Sequence, residues 1–152
     1  MIDKDILVDW GFAMYKNGNW ERHINGVLIS INFENKAGEV NFKNVRYSFD
    51  ISQASYVEIY EKIRTAIYYV LDKYRENIDN VIEKLFKLKN DDFKIFDVVL
   101  VRNNDIEDWI PAFYGRKIEG KIEVIGGAKY KQVLPYTDKT RNLIYTNLNL
   151  NE

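Results

Sequence analysis

The chain has 152 residues, 46% hydrophobic and 30% charged, with 22 basic and 23 acidic side chains and a formal net charge of −1. This make-up fits one globular domain or two small ones, and excludes a disordered chain, a basic nucleic-acid packer and a strongly acidic DNA mimic. With no cysteine and His23 as the only histidine, disulfides, thiolate nucleophiles, iron–sulfur clusters, cysteine-ligated zinc and His-rich metal centres are excluded as well.

The N-terminal run carries acidic residues around a short apolar stretch, without the basic start and long apolar core of a secretory signal. No stretch approaches the roughly 18 apolar residues needed to span a membrane, so the expected compartment is the cytoplasm. Residues 1 to about 51 read as β-structure. A strand is expected around residues 10–15, and Asn17-Gly18-Asn19 and Asn25-Gly26 are turn signals. The β-branched run 27–33, a turn at Asn35-Lys36-Ala37-Gly38 and the alternating Val40, Phe42, Val45, Tyr47 and Phe49 predict a hairpin. The slip in alternation between Phe42 and Val45 reads as a bulge.

Residues 52–89 read as helix. Ser55 followed by Glu58 forms a capping-box pattern, with Ser52 as a rival cap. Tyr56, Tyr60, Ile63, Ile67, Val70, Tyr74, Ile78, Val81, Leu85 and Leu88 form a stripe stepping by three and four, with one stutter at Tyr74–Ile78. One helix of this length would extend about 50 Å. A break near Asn77, with Asn80 and Glu83 as a second capping box, gives two helices instead. If part of the stripe is exposed, Tyr56, Tyr60, Ile63 and Ile67 could form the interface of a homodimer.

Residues 91–152 return to β-structure. Short strands are expected at 95–102, 109–116, 121–125, 130–134 and 143–146, with turns at Asn90-Asp91-Asp92 and Asn103-Asn104-Asp105. Pro111 requires a free edge in its strand. Five strands in so short a span predict a small Src-homology-type (SH3-like) β-barrel. The expected fold is therefore α+β: an N-terminal antiparallel sheet with a central helical segment in residues 1–90, then a barrel module in 91–152.

Candidate chemistry is sparse. His23 has no nucleophile elbow to serve, and reads as a surface histidine. Asp91-Asp92 and Glu107-Asp108 read as solvated turn carboxylates rather than a converging catalytic or metal-binding pair. Gly126-Gly127-Ala128-Lys129 lacks the spacing and following helix of a phosphate loop, and reads as a β-turn. Residues 113–152 hold seven basic and four acidic residues, whereas the first 112 hold 15 and 19. In and just before this basic segment, Trp109, Tyr114, Tyr130 and Tyr136 interleave with Arg116, Lys129, Lys131 and Arg141. Aromatic faces beside cations suit a protein partner, a nucleotide or single-stranded nucleic acid, so these eight are the candidate binding residues.

The abundance of Ile, Asn, Lys, Tyr and Phe, all served by AT-rich codons, associates the chain with low-GC bacteria or their phages. Three runs then stand out: Val98-Val99-Leu100-Val101-Arg102, Asp108-Trp109-Ile110-Pro111-Ala112-Phe113-Tyr114, and 126–136 ending Val133-Leu134-Pro135-Tyr136. Together they resemble a short module of uncharacterised phage and prophage proteins, with a V-L-V-R strand, a W-x-P-A-x-F strand and an aromatic-x-x-C-[IL]-P-Y segment. Here Val133 stands at the cysteine position, and residues 138–146 replace the module's usual G-N-E-H-L-L-G-T ending. The resemblance covers about a third of the chain. It implies a mobile-element setting and a small barrel, and it implies no activity. The function expected is non-enzymatic binding by a phage-type accessory protein, most concretely an inhibitor of a bacterial defence system that occupies a host protein. No cofactor or metal is expected. The rival reading is a nucleotide or nucleic-acid binding module using the basic C-terminal barrel.

Overall fold

The computed structural model describes residues 4–53, 55–86 and 93–149, and the chain divides into two compact units, Met1–Lys89 and Asn90–Glu152. Each contains a five-stranded antiparallel sheet, and the class is α+β. No helix among the described residues is long and apolar enough to cross a membrane.

The first unit opens with a short helix, α1 (Lys4–Asp9), where β-structure is expected from sequence. Ile6, Leu7 and Trp10 are all buried, and their spacing is helical rather than alternating. Of the strand expected at 10–15, only β1 (Ala13–Met14) forms. It begins a meander with β2 (Trp20–Ile24), β3 (Val27–Asn32), β4 (Ala37–Phe42) and β5 (Val45–Asp50), paired in chain order. Asn25 and Gly26 make the β2–β3 turn with φ of 49° and 83°, the left-handed conformation that a two-residue hairpin requires. The slip between Phe42 and Val45 is a turn, not a bulge. These two residues pair directly across β4 and β5, and Lys43 takes φ of 54° between them.

Period-2 alternation puts Val27, Ile29, Ile31, Val40 and Phe42 on the buried face. Each such side chain contributes about 1.5–3 kcal/mol of burial. That face is covered by two helices. The first, α2 (Tyr56–Val70), packs on β4 and β5, and the second, α3 (Arg75–Phe86), packs on α2 and β2. Phe86 locks the assembly, its ring centroid 4.9 Å from Trp10 and 4.5 Å from Tyr60.

Ser55 caps α2 in extended conformation, its hydroxyl accepting the Glu58 N–H at 3.2 Å. The Glu58 carboxylate accepts in turn from the Ser52 hydroxyl and, at 3.1 Å, from the Gln53 N–H. The two rival caps thus meet the same residue, Ser55 at the Glu58 backbone and Ser52 at its carboxylate. Ser55→Ala is expected to cost about 1 kcal/mol, read as a lower urea midpoint with unchanged slope.

The helical segment breaks at residues 71–74, earlier than Asn77. Leu71 leaves helical geometry, and Asp72–Tyr74 form one 3₁₀ turn before α3 starts. Asn80 and Glu83 lie inside α3 rather than at its start. The stripe is buried up to Val70 and again at Ile78, Val81 and Leu85, so the stutter marks where the chain turns. Leu88 lies outside the described residues. Tyr56, Tyr60, Ile63 and Ile67 are all buried against their own unit, so they present no surface for a two-fold interface.

The second unit holds β6 (Val98–Arg102), β7 (Ile110–Ile118), β8 (Lys121–Val124), β9 (Lys129–Tyr130) and β10 (Gln132–Pro135), in the order β10-β6-β7-β8-β9. Strand β7 serves two ladders. Residues 110–113 pair with β6, residues 114–118 pair with β8, and the register shifts between Tyr114 and Arg116. Pro111 sits in the half that, among the described residues, has a strand ladder with β6 alone. The strand expected at 130–134 is split at Lys131 into β9 and β10, which lie at opposite ends of the sheet. The strand expected at 143–146 is instead a 3₁₀ turn, Arg141–Leu143, followed by an isolated parallel bridge from Ile144 to Trp109. Among the described residues no ladder joins β9 to β10, so hydrogen bonding does not close the sheet.

Candidate binding surface

Three of the eight residues singled out from sequence are committed inside the second unit. Trp109 is buried beside Leu100 and Leu143 and donates its indole N–H to the Leu148 carbonyl at 2.9 Å. Tyr114 is fully buried, its ring 5.2 Å from Phe93. Alternation along β7 puts Tyr114 on the inner face with Ile110 and Ala112, and the register shifts only after it. Arg116 forms a largely buried ion pair with Glu123 at 2.9 Å. Neither Trp109 nor Tyr114 is an exposed anchor.

The other five reach the surface. Lys129, Lys131, Tyr136 and Arg141 are exposed and Tyr130 is half-buried. They follow one another through β9, the residue between β9 and β10, the segment after β10 and the 3₁₀ turn. Arg141 pairs with Asp138 at 3.7 Å.

The remaining candidates take ordinary positions. His23 is exposed on β2. The Glu107 carboxylate accepts the Asn103 N–H at 2.9 Å and tightens the turn before β7. Gly126 and Gly127 form the β8–β9 turn with φ of 107° and 97°. Asp91-Asp92 lies outside the described residues.

A denser group lies in the first unit, where α2 ends and the β4–β5 turn comes up beside it. Tyr68, Tyr69, Tyr74 and Val45 are 42%, 58%, 38% and 41% exposed. With Asp72 and Lys73 they line a cleft of about 350 Å³. The helical step explains the exposure: Ile67 and Val70 point to the sheet, so Tyr68 and Tyr69 between them point away.

The rings are held by neighbours rather than free. Tyr69 lies 5.0 Å from Tyr47, and Tyr74 packs edge-on to Phe42 at 5.3 Å. The Lys43 ammonium sits 4.2 Å from the Tyr74 ring centroid, and the Arg64 guanidinium 5.4 Å from that of Tyr68. Each such contact contributes about 0.5–1 kcal/mol at an exposed site. Asp72 is paired with Arg75 at 3.6 Å. The result is a semi-rigid aromatic surface rimmed by cations. Such rings offer contact area at small conformational cost, as in binding hot spots.

Lys43 also donates a hydrogen bond to the Tyr74 phenolic oxygen at 3.0 Å. This bond, then the charges of Lys43 and Lys73, hold the Tyr74 pKa below the ordinary tyrosine value. Lys43→Met is expected to move Tyr74 back up, measured by ultraviolet phenolate titration against wild type. A lowered pKa favours the folded state above the ordinary tyrosine range, and that contribution is lost as pH falls through the native value. The effect is therefore confined to alkaline conditions.

The sequence signal for this surface is the adjacent pair Tyr68-Tyr69, two aromatics off the apolar stripe. Comparison with protein-family models, with curated proteins and with solved structures finds no match to this chain.

Proposed function

We propose that the chain is a non-enzymatic accessory protein that acts by occupying the surface of another protein. The setting is the phage or mobile-element one that the C-terminal resemblance implies, and the compartment is the host cytoplasm. The most concrete form is steric inhibition of a bacterial defence protein. The observation that carries the reading is the tyrosine patch of the first unit. Tyr68, Tyr69 and Tyr74 are exposed together around one cleft, with cations on two of the rings. The partner this chemistry fits is a protein surface with apolar knobs and an acidic rim, which Lys43, Arg64 and Lys73 would face.

For the second unit we propose an SH3-like wrapping. The order β10-β6-β7-β8-β9, with β7 bent and shared between two ladders, supports it. A second reading is nucleotide or nucleic-acid binding through Lys129, Tyr130, Lys131, Tyr136 and Arg141, favoured by their surface positions.

One experiment separates the two. Wild type, a Tyr68→Ala/Tyr69→Ala variant and a Lys131→Glu/Arg141→Glu variant are used as baits in bacterial lysate. The expected result is a protein retained by wild type and by the charge-reversal variant, and lost with the tyrosine variant, which stays folded with a thermal midpoint only a few degrees lower. Loss of each hot-spot ring corresponds to at least about 2 kcal/mol of binding. Salt-sensitive retention of nucleic acid, lost only on charge reversal, would establish the second reading instead.

A further inference from the structure

In the second unit, residues 145–149 are held mainly through their backbone, with Thr146 Oγ1 also donating to the Leu143 carbonyl at 2.7 Å. Three successive carbonyls meet three fixed donors. Thr146 O accepts the Trp109 backbone N–H at 2.8 Å, Asn147 O accepts Arg102 Nη1 at 3.0 Å, and Leu148 O accepts the Trp109 indole at 2.9 Å. Tyr145 N–H donates to Trp109 O at 2.8 Å, and Asn149 Oδ1 accepts Arg102 Nη2 at 2.8 Å. The donors are pre-set. The Arg102 side chain is 2% exposed, its guanidinium lies 4.1 Å from the Trp109 ring centroid, and Gln132 Oε1, across the β6–β10 ladder, fixes its Nε at 2.6 Å.

The segment itself contributes little burial. Tyr145 is 72% exposed and Leu148 45%, and Tyr145 holds φ of 63°, a conformation unfavourable for its side chain. A segment that binds mainly by carbonyls, with its two largest side chains largely in solvent and one strained residue at its start, is replaceable by another chain of the same backbone form. We propose that Arg102, Trp109 and Gln132 form a recognition site for an extended peptide, occupied in cis by residues 145–149. The ligand class is an extended segment presenting consecutive carbonyls, with an asparagine-like side-chain acceptor at the end that meets Arg102. This site is separate from the tyrosine patch and does not depend on the function proposed there.

The test uses a fluorescent synthetic hexapeptide of residues 144–149 titrated into the full chain, with fluorescence anisotropy as the readout. The internal segment competes at high effective concentration, so wild type is expected to bind weakly. Tyr145→Pro removes the N–H that bonds Trp109 O and forbids positive φ, releasing the segment while leaving the Arg102, Trp109 and Gln132 side chains unchanged. It is expected to bind the hexapeptide about tenfold tighter or more, since the competent state is no longer masked. Asn149→Ala is expected to show a smaller gain and decides the matter if Tyr145→Pro does not fold. Arg102→Lys added to either releasing variant is expected to abolish the gain while the circular dichroism spectrum stays that of the folded chain. Folded releasing variants that bind no better than wild type would overturn the proposal, as would binding that survives Arg102→Lys.

Discussion

Gly38→Val is expected to lower the stability of the first unit by about 3 kcal/mol, and Gly38→Ala by about half of that. Gly38 lies on the buried face of β4, directly opposite Phe49 in β5. The Phe49 ring rests where a Cβ would stand, and Ile31 Cδ1 is 3.0 Å from the same point on the other side. The glycine here is required for space. A side chain must push the Phe49 ring out of the core or part the two strands. Urea unfolding should show the loss as a lower midpoint. Phe49→Leu in the Gly38→Ala background should recover part of it, because the two changes share one volume. Full additivity would place the cost elsewhere.

Arg102→Ala is expected to lower the stability of the second unit by about 3 kcal/mol. The guanidinium serves Gln132, the Asn147 carbonyl and the Asn149 side chain at once, and stacks on Trp109. Removing it leaves partly buried acceptors without their donor and opens one face of the indole. Arg102→Lys is not expected to rescue, because an ammonium cannot reproduce three planar bonds and the stacking together. Denaturation measures the loss, and faster hydrogen exchange at the Trp109 amide, which bonds Thr146 O, would show that the segment has been released.

Elements defined by long, consistent patterns were legible in the sequence. The run 27–33 holds β3, Ser55 became the cap of α2, and the stripe became two buried helical faces, Tyr56 to Val70 and Ile78 to Leu85. Short elements escaped because local pattern is ambiguous over a few residues. Lys43 at φ of 54° turns the chain where a two-residue slip resembles a bulge. Lys131 divides a continuous β-prone run between two ends of one sheet. The candidate residues show a different limit. Composition places aromatics beside cations, but only tertiary structure decides which are spent in the interior. Trp109, Tyr114 and Arg116 are spent there, whereas Tyr68 and Tyr69, next to the core stripe, are free to meet solvent.

The central claim is that the tyrosine patch is the surface that meets a partner. Its most direct test is site-specific photo-cross-linking. A benzophenone side chain is placed at Tyr69 in one variant and at Tyr130 in another, and each is irradiated in bacterial lysate. One discrete protein adduct is expected from position 69, suppressed by excess unlabelled wild type, and none from position 130. An adduct from position 130 alone would contradict that claim and move the docking surface to the second unit.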